Sequence, residues 1–243
     1  MDFKTILTIL TGSRAYGYAR PDSDYDYRSV VVAPTSLVLD PFRQREMRTV
    51  QKPGDEDSTQ YEIGHFVHLM SSGNPTIIEC LYAPVVSSTS EGDELRRRLR
   101  DLIPYPTCVR SFLGYAEGAR HKITEDPKRM HKHATSYLRL AYQLSDLLVE
   151  GHLRFPLGGL ALQKCLALRA GEMSIDDAIT EARYVLVEAR QEAKHAVGYT
   201  LLDRWLNGTP VKDLVDAQWE SEQRVLLQRL LTEFLLDIRK ANW

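Results

Sequence analysis

With 43% hydrophobic and 26% charged residues, the 243-residue chain has the apolar content to bury a substantial core, which excludes general disorder and a fibrous structure. A formal charge of -2, from 31 Lys and Arg against 33 Asp and Glu, excludes a uniformly basic nucleic-acid binder, although local charge can depart from the total. No apolar run approaches the roughly 20 residues of a membrane helix, and the opening MDFKTILTIL is too short and wrongly flanked for a secretion signal, so a cytoplasmic protein is expected.

In chain order, the apolar runs Ile6 to Leu10 and Ser29 to Ala33 read as strands, separated by a Gly, Arg, Tyr and Asp-rich loop or short helix. The turn signal Lys52, Pro53, Gly54, Asp55 precedes a third strand expected over Glu56 to Ile63. Phe66, Leu69 and Met70 recur at helical spacing, and that helix should stop near Ser72 and Gly73, before Asn74 and Pro75. Another short helix is expected over Thr76 to Tyr82.

Beyond about Leu102 long helices take over. Tyr137, Leu140, Ala141, Leu144, Leu147 and Leu148 fall on one face of a helix that Gly151 should end. Two more are expected over Ser174 to Val197 and Glu220 to Lys240, the latter with an apolar stripe of Leu227, Leu231, Phe234, Leu235 and Ile238 for core packing. The fold class predicted is α+β: a small sheet with flanking helices over residues 1–100, then a mostly helical region over 101–243. Cys80, Cys108 and Cys165 are odd in number and lack CxxC spacing, so buried thiols are expected rather than disulfides or structural zinc.

The chemistry concentrates in TGSRAYGYARPDSDYDYRSVVV, Thr11 to Val32, which begins at the end of one predicted strand and runs into the next. Gly12 and Gly17 permit close backbone passages and Ser13 offers a hydroxyl and an amide, a turn able to hold phosphate oxygens; glycine and serine are also the ordinary residues of turns. If Asp24 and Asp26 start the second strand, the period of two puts both carboxylates on one face. Two adjacent carboxylates repel unless a cation offsets them, and hard oxygen donors suit Mg2+ or Mn2+. The competing reading is a surface Asp pair beside a turn.

GS followed by SDYD resembles the signature of the DNA polymerase beta superfamily of nucleotidyltransferases. More narrowly, GSRAYG, SDYDYR and GNPTIIECL are similar to a phage and bacterial family of RNA-repair-associated nucleotidyltransferases, over about residues 11 to 84. The resemblance implies that Gly12, Ser13 and Arg14 grip a nucleoside triphosphate, and that Asp24, Asp26 and a third carboxylate bind divalent ions, Mg2+ or Mn2+. Asp57 matches the third position best, with Glu62 its rival; strand alternation points the two to opposite faces. Ser58, Thr59 and Gln60 depart from the apolar residues the family tends to have after this carboxylate. Asn74, Pro75 and Glu79 match the family's NP segment, but Asn-Pro is a common turn and Glu79 fits a helix-surface charge, so none is assigned to catalysis.

Further on, RHKITEDPKRMHKH, Arg120 to His133, is locally basic and able to hold phosphate. Within the resemblance, Lys132, His133 and Arg139 correspond to positions that contact triphosphate or acceptor; the alternative is a solvated helix face. His121, His131 and His133 lack the cysteines or regular helical pair of a zinc site. The implied reaction is transfer of an NMP group from an NTP to an acceptor hydroxyl, with an RNA end, a protein or a small molecule as acceptor. A non-catalytic nucleotide-binding module and a helical RNA-binding adaptor are the alternatives.

Overall fold

The computed structural model describes residues 3–40, 49–51, 58–194, 196–215 and 222–240. The chain forms two compact units, one of Met1–Ser71, Thr76–Ile103 and Ser221–Trp243, the other of Ser72–Pro75 and Pro104–Glu220. The sequence reading divides the chain once, near residue 100; here the chain's last helix belongs with its first strands.

The first unit is built on a five-stranded sheet in the order β3-β4-β2-β1-β5. Its strands are β1 (Lys4–Thr11), β2 (Asp26–Val32), β3 (Thr49–Gln51), β4 (Ser58–Glu62) and β5 (Val85–Ser88). β2 and β4 run parallel and the other neighbours antiparallel, so the sheet is mixed. In β2 the last four residues are buried and the first three are half-buried, which leaves the polar end, Asp26, at the rim. Register and alternation together assign the faces. Thr11 pairs with Asp26, Tyr27 with Ser58 and Val31 with Glu62, so Asp26, Arg28, Thr59 and Tyr61 share one face while Tyr27, Ser29 and Glu62 share the other.

Five short helices surround this sheet: α1 (Gly12–Tyr16), α2 (Thr35–Val38), α3 (Ile63–Ser71), α4 (Pro75–Tyr82) and α5 (Ser90–Arg100). The expected third strand gives way to α3 at Ile63, two residues before the helix was expected, because the Glu62 carboxylate accepts from the Gly64 N–H at 2.7 Å and satisfies a donor of the first turn. Residues 56 and 57 of that expected strand lie outside the described residues. Ile63, Phe66, Val67 and Met70 form the buried face of α3. In α5 the Thr89 hydroxyl accepts from Gly92 N–H, and Leu95 and Leu99 are fully buried.

The second unit is helical, with α6 (Tyr105–Glu125), α7 (Met130–Val149), α8 (Gly159–Ala170), α9 (Ile175–Glu192) and α10 (Ala196–Leu206). Buried residues run almost all round α7, including Leu138, Leu140, Leu144, Leu147 and Leu148, as its central place against α6, α8 and α9 requires. The expected helix from Ser174 to Val197 is instead two. α9 ends at Glu192, Ala193 turns extended (φ -57, ψ 123), and Lys194 N–H donates to Leu148 O of α7 at 3.2 Å. The Asn74 turn is fixed within this unit, where Asn74 donates to Tyr115 Oη at 2.9 Å and Ser111 Oγ to Ser72 O at 2.8 Å. Gly73 has φ +65, and a Cβ there would come within 2.4 Å of the Cys108 nitrogen.

α11 (Arg224–Lys240) returns to the first unit. Leu227, Leu231, Phe234 and Ile238 are its buried stripe, and Arg239 pairs with Glu62 and donates to Ala33 O at 3.3 Å.

Candidate active site

β1 ends, α1 turns and β2 begins within one corner of the sheet. Gly12 has φ +67, a conformation that costs any other residue. The space where its side chain would stand is filled by Asp26: a Cβ built on Gly12 would lie 1.7 Å from Asp26 Oδ2 and 2.7 Å from its Cγ. Glycine is therefore required twice, once by the backbone and once by the carboxylate. Thr11, at the N-cap of α1, makes no side-chain cap and donates instead to Asp26 O at 3.3 Å. The first-turn N–H groups of α1, at Gly12 and Ser13 among others, are thus left without a side-chain acceptor from the cap residue.

Asp24 is exposed and lies in the loop two residues before β2, whereas Asp26 is its half-buried first residue. The expected strand therefore carries only the second carboxylate. Arg14 packs against the loop that carries Asp24. Its Nε and Nη2 donate to Ser23 O at 3.1 and 2.6 Å, and its guanidinium carbon sits 3.9 Å from the centre of the Tyr25 ring. These contacts tie down the residues on both sides of Asp24, a cation-π contact included.

The two aspartates meet the chemistry of a hard divalent cation: oxygen donors, one exposed and one held against a backbone turn. Among the described residues, no group of three or more His, Cys, Asp or Glu side chains is arranged to hold a metal ion. Asp57 lies outside the described residues. Glu62 is on the opposite face from Asp26, is 7% exposed, and is engaged by Arg239 and by the Gly64 N–H. Its carboxylate holds α3 and α11 to the sheet.

Sequence reasoning missed a buried network behind this corner. Glu79 on α4, 3% exposed, accepts from the Tyr16 hydroxyl at 2.8 Å, and Arg28 Nη1 lies 3.5 Å from the same oxygen, Oε2. Burial opposes the charge of Arg28, but neighbouring groups, Glu79 among them, hold its pKa above the usual value. The signal was legible: one carboxylate inside the apolar helix PTIIECLY is a charge with no exposed face to occupy.

In the second unit, Lys132 is exposed, and His133 Nε2 is 3.5 Å from Asp126 Oδ2. Arg139 donates to the fully buried Gln143 at 2.5 Å. Lys132 and Arg139 are seven residues apart and share a face of α7; His133 is rotated away from them. His131 meets Leu168 O at 3.1 Å and His121 is 3.6 Å from Glu125, so the three histidines have separate partners.

A mixed sheet with flanking helices, a glycine-serine turn after its first strand and an aspartate opening the next define an α+β nucleotidyltransferase-like fold. The sequence matches the profile of the RNA repair pathway DNA polymerase beta family over residues 1–228, and the chain belongs to that family of nucleotidyltransferases. Among solved structures it is similar to a nucleotidyltransferase-like protein from Exiguobacterium sibiricum, at 11% identity and a TM-score of 0.30, over 98% of this chain and 74% of that one. No match was found among curated proteins.

Proposed function

We propose that the protein transfers an NMP group from a nucleoside triphosphate to an acceptor hydroxyl, with release of pyrophosphate, and that the acceptor is an RNA end. The observation that carries this reading is the packing of Asp26 into the space above Gly12, which joins a carboxylate to a glycine-serine backbone turn of the kind that can hold phosphate oxygens. Family membership supports the same reaction, and its RNA repair description supports the acceptor.

In this reading the acceptor oxygen attacks the α-phosphate and the pyrophosphate oxygen leaves in line. Asp24 and Asp26 would hold divalent cations, Mg2+ or Mn2+, with Asp57 as third ligand. Bound there, such a cation pair supplies charge stabilisation for the attacking and leaving oxygens. Ser13 and the first-turn amides of α1 would hold the departing phosphates. Arg14, which fixes the Asp24 loop through Ser23, is proposed to contact the triphosphate with them. Support for Asp57 over Glu62 comes from register: Ser58, the next residue after Asp57, pairs with Tyr27, the next residue after Asp26. Lys132, His133 and Arg139 are proposed to contact triphosphate or acceptor, with basic residues between Arg120 and Lys132 assisting.

The test is incubation of the protein and Mg2+ or Mn2+ with each labelled triphosphate, with and without an RNA pool, reading labelled product and pyrophosphate. Asp24→Asn and Asp26→Asn should each abolish transfer while leaving the fold intact. Metal-dependent transfer retained by either variant overturns the assignment. Triphosphate binding without turnover by the wild-type protein favours a binding module, and label on protein or a small molecule removes RNA as acceptor.

A further inference from the structure

Nucleotidyl transfer as proposed needs Asp26 and the Gly12–Ser13 turn to keep one geometry, and a tie beyond the pairing of Thr11 with Asp26 joins them. Tyr16 is the last residue of α1, the helix that Gly12 and Ser13 open. Its ring stacks on Tyr18 with centroids 5.5 Å apart, and its hydroxyl donates to Glu79 Oε2 at 2.8 Å. Arg28 lies two residues beyond Asp26 on the same strand face and approaches that same oxygen at 3.5 Å. One carboxylate oxygen therefore ties the far end of the phosphate-binding turn to the strand that carries Asp26.

Such a contact is a poor way to gain stability. Well-packed apolar residues usually stabilise a buried site as well as an ion pair does, because both charges must give up water. The geometry here is not that of an optimised pair either, since Arg28 Nη1 is buried and makes no hydrogen bond. What the arrangement does provide is direction: a phenol hydrogen-bonded to one carboxylate oxygen and a guanidinium drawn to the same oxygen by charge favour one relative placement of α1 and β2.

We infer that Glu79 is a positioning residue which, through Tyr16 and Arg28, sets the Gly12 turn against Asp26 and so governs metal affinity and turnover without touching the nucleotide. This rests on the transfer reaction proposed above. It takes the NP helix from a structural neighbour of the site to a support of it.

The experiment uses the full chain. Glu79→Gln keeps an acceptor for Tyr16 and removes the charge facing Arg28; Tyr16→Phe keeps the stacked ring and removes the hydroxyl. For each, kcat, KM for the triphosphate, half-saturating Mg2+ and the thermal midpoint are measured. Loss of support should lower kcat or metal affinity about 10 to 100-fold, as removal of groups that orient metal ligands does, with KM for the triphosphate within about threefold. The double variant should be no worse than the poorer single one, the sign of a shared network. Arg28→Lys should retain more activity than Arg28→Met.

Turnover and metal half-saturation within about twofold of wild type in a folded single variant overturn the inference. If Glu79→Gln does not fold, Tyr16→Phe carries the test. Absence of transfer by the wild-type protein refutes the reaction, not the support. Hydrogen exchange across residues 12–17 then decides: faster exchange in Tyr16→Phe upholds the tie, and unchanged exchange overturns it.

Discussion

Gly12→Ala separates two costs that the fold combines at one residue. The first is conformational: φ +67 charges an alanine about 1–2 kcal/mol. The second is steric, and falls on the catalytic carboxylate of the proposed reaction. The new Cβ would stand 1.7 Å from Asp26 Oδ2, so the carboxylate must retreat by about 1.3 Å to reach even 3.0 Å, and a misplacement near 1 Å costs about 100-fold in rate. Gly171→Ala is the control. Gly171 has φ +78 at the C-cap of α8 and nothing within 4 Å of its missing Cβ, so it carries the conformational cost alone. Gly171→Ala should melt lower by about 2–8 °C, at roughly 2–4 °C per kcal/mol for a chain of this size, and Gly12→Ala by at least as much. Only Gly12→Ala should lose transfer, by about 100-fold or more. Thermal melts beside labelled-triphosphate turnover make the comparison. Near-wild-type turnover in Gly12→Ala refutes the reasoning, and so does an equal loss in Gly171→Ala.

Three further outcomes are expected. Glu62→Gln leaves Arg239 buried beside a neutral amide and should destabilise by about 3–5 kcal/mol, while the protein that remains folded keeps its metal-dependent turnover; Asp57→Asn should do the reverse. Melting and turnover measured on both variants check this, and loss of turnover in folded Glu62→Gln would restore it as the third ligand. The three buried thiols should resist a thiol reagent at pH 8 in the native protein and react on unfolding. Burial pushes the Cys80 and Cys165 thiols up to about 12. Because these folded pKa values are raised, their contribution to stability is complete below the unfolded thiol range near 8.5 and is lost as pH rises toward 12. Denaturation midpoints between pH 8 and 11 should therefore fall, and a flat profile contradicts the burial argument.

Periodicity made β1, β2, α3, α4, α7 and α11 legible, because their apolar residues recur at helical spacing or form a continuous run. β5 was not legible: all four of its residues are exposed, and it is a strand because β1 supplies its hydrogen bonds. The break after Glu192 has no Gly or Pro to announce it and depends on the carbonyl of Leu148, 46 residues earlier in the chain. At the site, the glycine turn and Asp26 were legible from residue type and spacing. The hold of Arg14 on the Asp24 loop was not, since it is made with a carbonyl nine residues away, and alternation alone put Asp57 and Glu62 on opposite faces without saying which face held Asp26.

Because α11 supplies the partner of Glu62, the first unit is closed by a residue 177 positions further along the chain. Until Arg239 has been translated, β4 ends in a carboxylate whose buried cation has not yet been made. A message cut short anywhere before Arg239 would yield a chain that retains Gly12, Asp24 and Asp26 in its sequence yet has no Arg239 to bury against the sheet. Possession of the motif and possession of the closed unit are thus acquired at separate points of translation.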